Sequence, residues 1–129
     1  MSLVRYRYNL QVQPPAPFIY AVIHHPVGHS ATERLPALLD SGADITAVPA
    51  DVANQLALTK FSDVILAGYM GPTMLVESYV ANLTLHDLDV AAVEVVLTDS
   101  PYVILGRDVL NQFHITLDGP HLRLEIQLP

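Results

Sequence analysis

Short apolar or alternating runs, divided at regular intervals by turn residues, dominate this chain and leave little room for helix. From Val4 to Val12 the alternation is clean: Val4, Tyr6, Tyr8, Leu10 and Val12 fall on one side, Arg5, Arg7, Asn9 and Gln11 on the other. A period of two places such side chains on opposite faces of an extended backbone, which predicts a half-buried strand. Pro14-Pro15-Ala16-Pro17 then ends it as a rigid connector. Phe18 to Ile23 is continuously apolar, the pattern of a strand buried on both faces. His24 to Thr32 reads as a loop, and Glu33 to Leu39 and Thr46 to Val48 as further strands. Val64-Ile65-Leu66 and Met74-Leu75-Val76 flank Ala67-Gly68-Tyr69-Met70-Gly71-Pro72 as a hairpin with a glycine-bearing tip. Tyr79 to Leu85 and Val90 to Leu97 pair around His86-Asp87-Leu88-Asp89, and Tyr102 to Leu105 forms a buried strand. Ile115 and Leu117, then Leu122, Leu124, Ile126 and Leu128, alternate around Asp118-Gly119-Pro120 as a C-terminal hairpin.

Helix is confined to two brief segments. Pro49 to Leu56 has proline in a first turn, Asp51 against the N-terminal dipole, and Val48, Val52 and Leu56 on one face. Arg107 to Phe113 is the other. Many short strands with one or two short helices predict an all-β barrel or sandwich.

Composition narrows the function. At 129 residues the chain fits one domain, 1–129, in which 1–17 supply an N-terminal strand and proline-rich connector. Apolar residues at 51% against 15% charged make it globular rather than disordered. A formal charge of −7, with only six scattered Lys and Arg, excludes a broad basic surface for nucleic acid. No apolar run is long enough to cross a bilayer and the start lacks a signal-peptide pattern, so a cytoplasmic protein without a membrane partner is expected. Cysteine is absent, which removes disulfides and thiolate chemistry. His24, His25 and His29 have no Cys or carboxylate among them at a recognised ligand spacing, and His86-Asp87-Leu88-Asp89 falls short of a calcium loop. Neither a metal nor any other cofactor is expected.

One stretch stands apart: Leu38-Leu39-Asp40-Ser41-Gly42-Ala43-Asp44. A carboxylate directly behind an apolar run is expensive unless something shares or neutralises its charge. Asp, Ser and Gly are also common turn residues, so these residues alone fit either a surface turn or a loop that meets a ligand. A second stretch, Val103-Ile104-Leu105-Gly106-Arg107-Asp108-Val109-Leu110, changes the balance.

Together the two stretches resemble the retropepsin-like aspartic proteases, which carry an apolar-apolar-Asp-Thr/Ser-Gly-Ala loop, a glycine-containing flap and an apolar-apolar-Gly-Arg segment in this order. The resemblance runs from about Phe18 to the C-terminus. It implies a closed β-barrel of the acid protease type and an aspartic endopeptidase acting on polypeptides. It also implies roles for single residues. Asp40, Ser41 and Gly42 match the catalytic loop, Ser41 through a hydroxyl that bonds across a two-fold axis and Gly42 through a carbonyl that meets substrate backbone. Ala43 and Asp44 match substrate-contacting positions, and Gly68, Tyr69 and Met70 lie where the family has its flap. Asp44 matches a carboxylate that pairs with Arg107, in an expected bidentate bond. Gly106, Arg107 and Asp108 support the loop, Gly106 by allowing close packing behind it.

A pair of carboxylates held close can share one proton, one acting as base towards water and the other as acid towards a carbonyl. Only one Asp-Ser-Gly is present, and Asp108 opens a helix after Gly106-Arg107. The economical arrangement is a symmetric homodimer with one Asp40 from each copy. The long ends depart from the retroviral pattern: their strands either join an intersubunit sheet or cover their own barrel, and a strand across the cleft would make a zymogen or an inactive relative. A second reading keeps the fold and the dimer but drops catalysis, as a peptide-binding or dimerisation module.

Overall fold

The computed structural model describes residues 2–67 and 70–128. In chain order the elements are β1 (Ser2–Arg7), β2 (Phe18–His24), β3 (Leu35–Leu39), β4 (Thr46–Pro49), α1 (Ala50–Gln55), β5 (Lys60–Ala67), β6 (Thr73–Leu85), β7 (Leu88–Thr98), β8 (Val103–Leu105), α2 (Arg107–Leu110), β9 (His114–Asp118) and β10 (Arg123–Leu128). The fold is all-β with two short helices.

Seven strands form one sheet in the order β2-β3-β8-β4-β7-β6-β5, and β2 also pairs with β6 through Ala21–His24 and Asn82–Leu85. Two pairings are parallel, β3 with β8 and β4 with β7. The strand β6 is long enough to serve two hairpins, one with β5 and one with β7. A second sheet, β1-β10-β9, is antiparallel throughout, so the two terminal strands pair with each other inside one chain. Leu124 and Ile126 of β10 are buried, and Val4 and Tyr6 of β1 pack against the same core. That core is centred on Ile23, Val48, Leu83, Val95, Val103, Leu105 and Val109, all fully buried. Each such side chain contributes about 1.5–3 kcal/mol of burial.

Several boundaries differ from the sequence pattern for local reasons. The first strand stops at Arg7 instead of Val12, because the Asn9 side chain accepts the Gln11 N–H at 2.8 Å and turns the chain. Leu10, expected inward, is consequently 61% exposed. In β2, Tyr20 faces solvent, so this strand is not buried on both sides. The β6–β7 connection is shorter than expected. Leu85 pairs directly with Leu88, leaving His86-Asp87 as a two-residue turn in which His86 takes φ 55°. Helix α2 ends at Leu110, and turn hydrogen bonds carry the chain on to Phe113. Leu117 and Leu122 of the last hairpin are exposed.

Candidate functional site

Two loops far apart in sequence meet because β3 and β8 run parallel and in register. Leu38 lies opposite Ile104 and Leu39 opposite Leu105, so both strands end at one level. The pairing continues one step further, with the Asp40 N–H donating to the Leu105 carbonyl at 3.0 Å. Beyond that level each chain turns polar: Asp40-Ser41-Gly42 on one side and Gly106-Arg107 on the other.

Glycine is required at 106 by space. A Cβ there would lie 2.8 Å from the Ile45 carbonyl carbon and 3.0 Å from the carbonyl oxygens of Ala43 and Ile45. All three neighbours are backbone, which cannot move aside as a side-chain end can. The Arg107 N–H then donates to the Ala43 carbonyl at 2.9 Å, fastening the second loop to the first.

The Arg107 side chain meets Asp44, but the expected bidentate geometry is not formed. One guanidinium nitrogen, Nη2, bonds the Asp44 carboxylate, while Nη1 donates to the Ser41 carbonyl at 2.6 Å. Splitting the fork gives a donor to the Ser41 carbonyl, which has no other partner among the described residues and which a second bond to Asp44 would leave to water. The Asp44 side chain is 85% exposed and Arg107 45%, so the ion pair is largely solvated and its main consequence is to tie the loop.

Asp108 faces the other way, into the base of the site. Its Oδ1 accepts from Thr46 Oγ1 at 2.8 Å and from the Val109 N–H at 2.9 Å, and its Oδ2 accepts from the Thr46 N–H at 3.1 Å. Thr46 Oγ1 in turn accepts the Gly106 N–H at 3.1 Å. Fully buried Thr46 is therefore the joint between the start of β4, the end of β8 and α2. The sequence pattern marks it only as a strand residue. No spacing marks it; a hydroxyl within an otherwise apolar buried strand was the available signal.

Asp40 itself is half-buried. Its Oδ1 accepts the Gly42 N–H at 2.9 Å, and its backbone carbonyl accepts the Ala43 N–H at 3.1 Å. Among the described residues nothing else bonds this carboxylate, and the exposed Ser41 hydroxyl has no partner. A Cβ at Gly42 would stand 3.2 Å from Asp40 Oδ1, so a larger residue would crowd the carboxylate it now holds. Asp40, Ser41, Gly42, Ala43, Asp44, Gly106, Arg107 and Asp108 thus form one neighbourhood. Gly68 and Tyr69 lie outside the described residues, while Met70 is 91% exposed with φ 55°.

The histidine loop is built differently. His24 Nε2 bonds Thr84 Oγ1 at 2.8 Å and His25 Nδ1 accepts the Val27 N–H at 3.0 Å. Among the described residues no three His, Cys, Asp or Glu side chains gather closely enough to hold a metal ion.

Comparison with known proteins points in one direction. The model of the family described as "gag-polyprotein putative aspartyl protease" matches residues 29–112, which include both loops. A retropepsin-like aspartic protease from Rickettsia conorii superposes with a TM-score of 0.67 at 13% identity, over 97% of this chain and 90% of that one. The protease-reverse transcriptase of a foamy virus gives a TM-score of 0.59 at 18% identity, over 78% of this chain and 12% of the longer one. The retroviral protease-like domain of Ddi1 from Leishmania major gives 0.50 at 17% identity, over 88% of this chain and 95% of that domain. At these identities the likeness is one of fold. No curated protein matches.

Proposed function

The chain belongs to the gag-polyprotein aspartyl protease family, with a retropepsin-like fold, and on that premise we propose that it is a homodimeric aspartic endopeptidase. Asp40 of each copy supplies one of two carboxylates. The observation that carries this reading is the state of Asp40 in the single chain. Among the described residues its half-exposed carboxylate takes one hydrogen bond, from Gly42, whereas the neighbouring Asp44 and Asp108 are committed to Arg107 and Thr46. A second carboxylate for the same reaction is best supplied by a second copy. The pairings β2-β3-β8-β4-β7-β6, with β6 returning to β2, support a closed barrel that presents this loop, and the Ser41 hydroxyl, without a partner among the described residues, is suited to bond across the two-fold.

The chemistry follows from like charges at short range. The two Asp40 carboxyls retain one proton between them and titrate as a pair. The ionised group takes a proton from water as the water oxygen bonds to the peptide carbonyl carbon, and the protonated group gives its proton to the carbonyl oxygen. Collapse of the resulting diol breaks the C–N bond, with a proton delivered to the leaving amine. The substrate enters as an extended polypeptide beneath the β5–β6 hairpin, contacted by Gly42, Ala43, Asp44 and the 68–70 tip. No cofactor enters the reaction.

Asp40→Asn keeps the size of the side chain and the acceptor for the Gly42 N–H but removes the exchangeable proton. Cleavage of a denatured protein substrate should fall by about 100-fold or more, with the melting temperature nearly unchanged. Equal cleavage by the variant would overturn the assignment. A chain that binds peptides, leaves a diverse peptide library uncut and is indifferent to this substitution would be the inactive module instead.

A further inference from the structure

A concave site lies at the end of β3 remote from Asp40. Arg34 stands just before this strand and Asp40 just after it, which separates them by about 20 Å of extended chain. The groove has a volume of about 450 Å³, within the range of ligand-binding hollows, and its walls include Val4, Arg5, Tyr6, Tyr20, Arg34 and His86.

Three consecutive residues of β1 line it. Successive strand side chains point to opposite faces, so a hollow resting on a sheet face would meet every second residue. Lining by Val4, Arg5 and Tyr6 together means that the groove runs along the strand's edge. Among the described residues, strand β1 is the outermost member of its sheet and pairs with β10 alone, so its other edge carries backbone groups without a ladder partner there.

The charges here are distinctive for so acidic a chain. Arg5 pairs with Glu125 at 2.9 Å and His86 lies 3.4 Å from Asp87, but among the described residues no carboxylate pairs with Arg34. Its guanidinium instead stacks over the Tyr20 ring, 4.4 Å from the centroid, which fixes the fork while leaving its edge free. Burial raises the pKa of the Tyr6 hydroxyl, and the positive charge of Arg34 opposes that shift. Tyr6 Oη also lies 3.4 Å from His86 Nδ1.

We propose that this groove binds an extended acidic peptide segment, which adds as a strand to the free edge of β1 and sets a carboxylate against Arg34. The backbone edge supplies affinity, the arginine supplies preference for acid, and the apolar walls take the alternate side chains. Nothing in this requires Asp40 to be catalytic.

The test uses the Asp40→Asn chain, so that loss of a cut probe cannot be mistaken for loss of binding. The probe is a fluorescein-labelled heptapeptide of alternating valine and glutamate, followed by fluorescence anisotropy. Its glutamine twin should bind about tenfold or more weakly, as should a twin N-methylated at alternate backbone nitrogens. Arg34→Ala should erase the preference for glutamate over glutamine, and Arg34→Lys should restore part of it. Equal binding of the glutamine twin, or an unchanged preference in Arg34→Ala, overturns the site. Equal binding of the N-methylated twin overturns strand addition. Failure of all three peptides, with sedimentation showing self-association that Arg34→Ala abolishes, would assign the edge to a second copy and also overturn the proposal.

Discussion

In the proposed enzyme the Asp40 loop and the β5–β6 hairpin face the same substrate, yet they are held by opposite means. Around Asp40 the chain is fixed from behind. Gly106 lies against backbone with no room for a methyl group, Thr46 donates two hydrogen bonds to the Asp108 carboxylate, and Arg107 spans Ser41 and Asp44. The hairpin has almost no such support. Ile65 faces Leu75 across one side and both are exposed, as are Phe61, Met74 and Met70. Its cohesion comes from the ladder between Lys60–Ala67 and Thr73–Tyr79, aided by the exposed Lys60–Asp63 pair. The lesson is a division of labour. In the proposed dimer, a carboxylate that meets its copy within a hydrogen bond's tolerance needs an immovable mount, whereas a cover that admits a polypeptide needs few buried contacts and an apolar surface waiting for a partner.

Substitutions on the two sides should separate accordingly. The largest effect is expected from Gly106→Ala, where a methyl group meets backbone on three sides. We expect a loss of about 3 kcal/mol or more in denaturant-monitored stability, together with activity. A variant as stable as wild type would show that the mount is softer than its distances imply. Thr46→Val comes next: shape is kept while the Gly106 N–H loses its acceptor and Asp108 a donor, for a cost of about 1–3 kcal/mol. Its activity should fall by more than thermal stability explains, because the loop loses its orientation. Leu75→Ser in the hairpin should change stability by only about 0.5 kcal/mol, since the side chain is already exposed. There the loss should appear in KM for a long peptide, with stability intact. Should the hairpin variant unfold the protein while Thr46→Val leaves it untouched, the contrast between the two regions would be reversed.

Both loops were legible in the sequence because each is a local signal: an apolar run, a short polar turn, and a glycine at a fixed place. The alternation that predicts strands also survived in most of the fold, since burial on one face of a sheet imposes it directly. What escaped depended on partners distant in sequence or on single side chains. Thr46 is one residue in a four-residue strand until β8 and α2 are laid beside it. The shared use of Arg107 by Asp44 and Ser41 rests on where a carbonyl points, which spacing does not encode. At the N-terminus a single Asn9 turn outweighed a pattern that ran to Val12, and at His86 a left-handed residue closed a hairpin two residues sooner than its acidic neighbours suggested.

Shared ownership of the active site is tested most directly by mixing subunits. Wild-type chain held at fixed concentration is incubated with increasing Asp40→Asn chain until exchange is complete, and cleavage of a fluorogenic peptide is measured. If each site draws one Asp40 from each of two copies, activity should fall steadily as mixed pairs replace wild-type pairs, towards zero in large excess of the variant. Activity that stays constant across the titration, despite demonstrated exchange, would mean that one chain hydrolyses peptides alone and would contradict the two-carboxylate site.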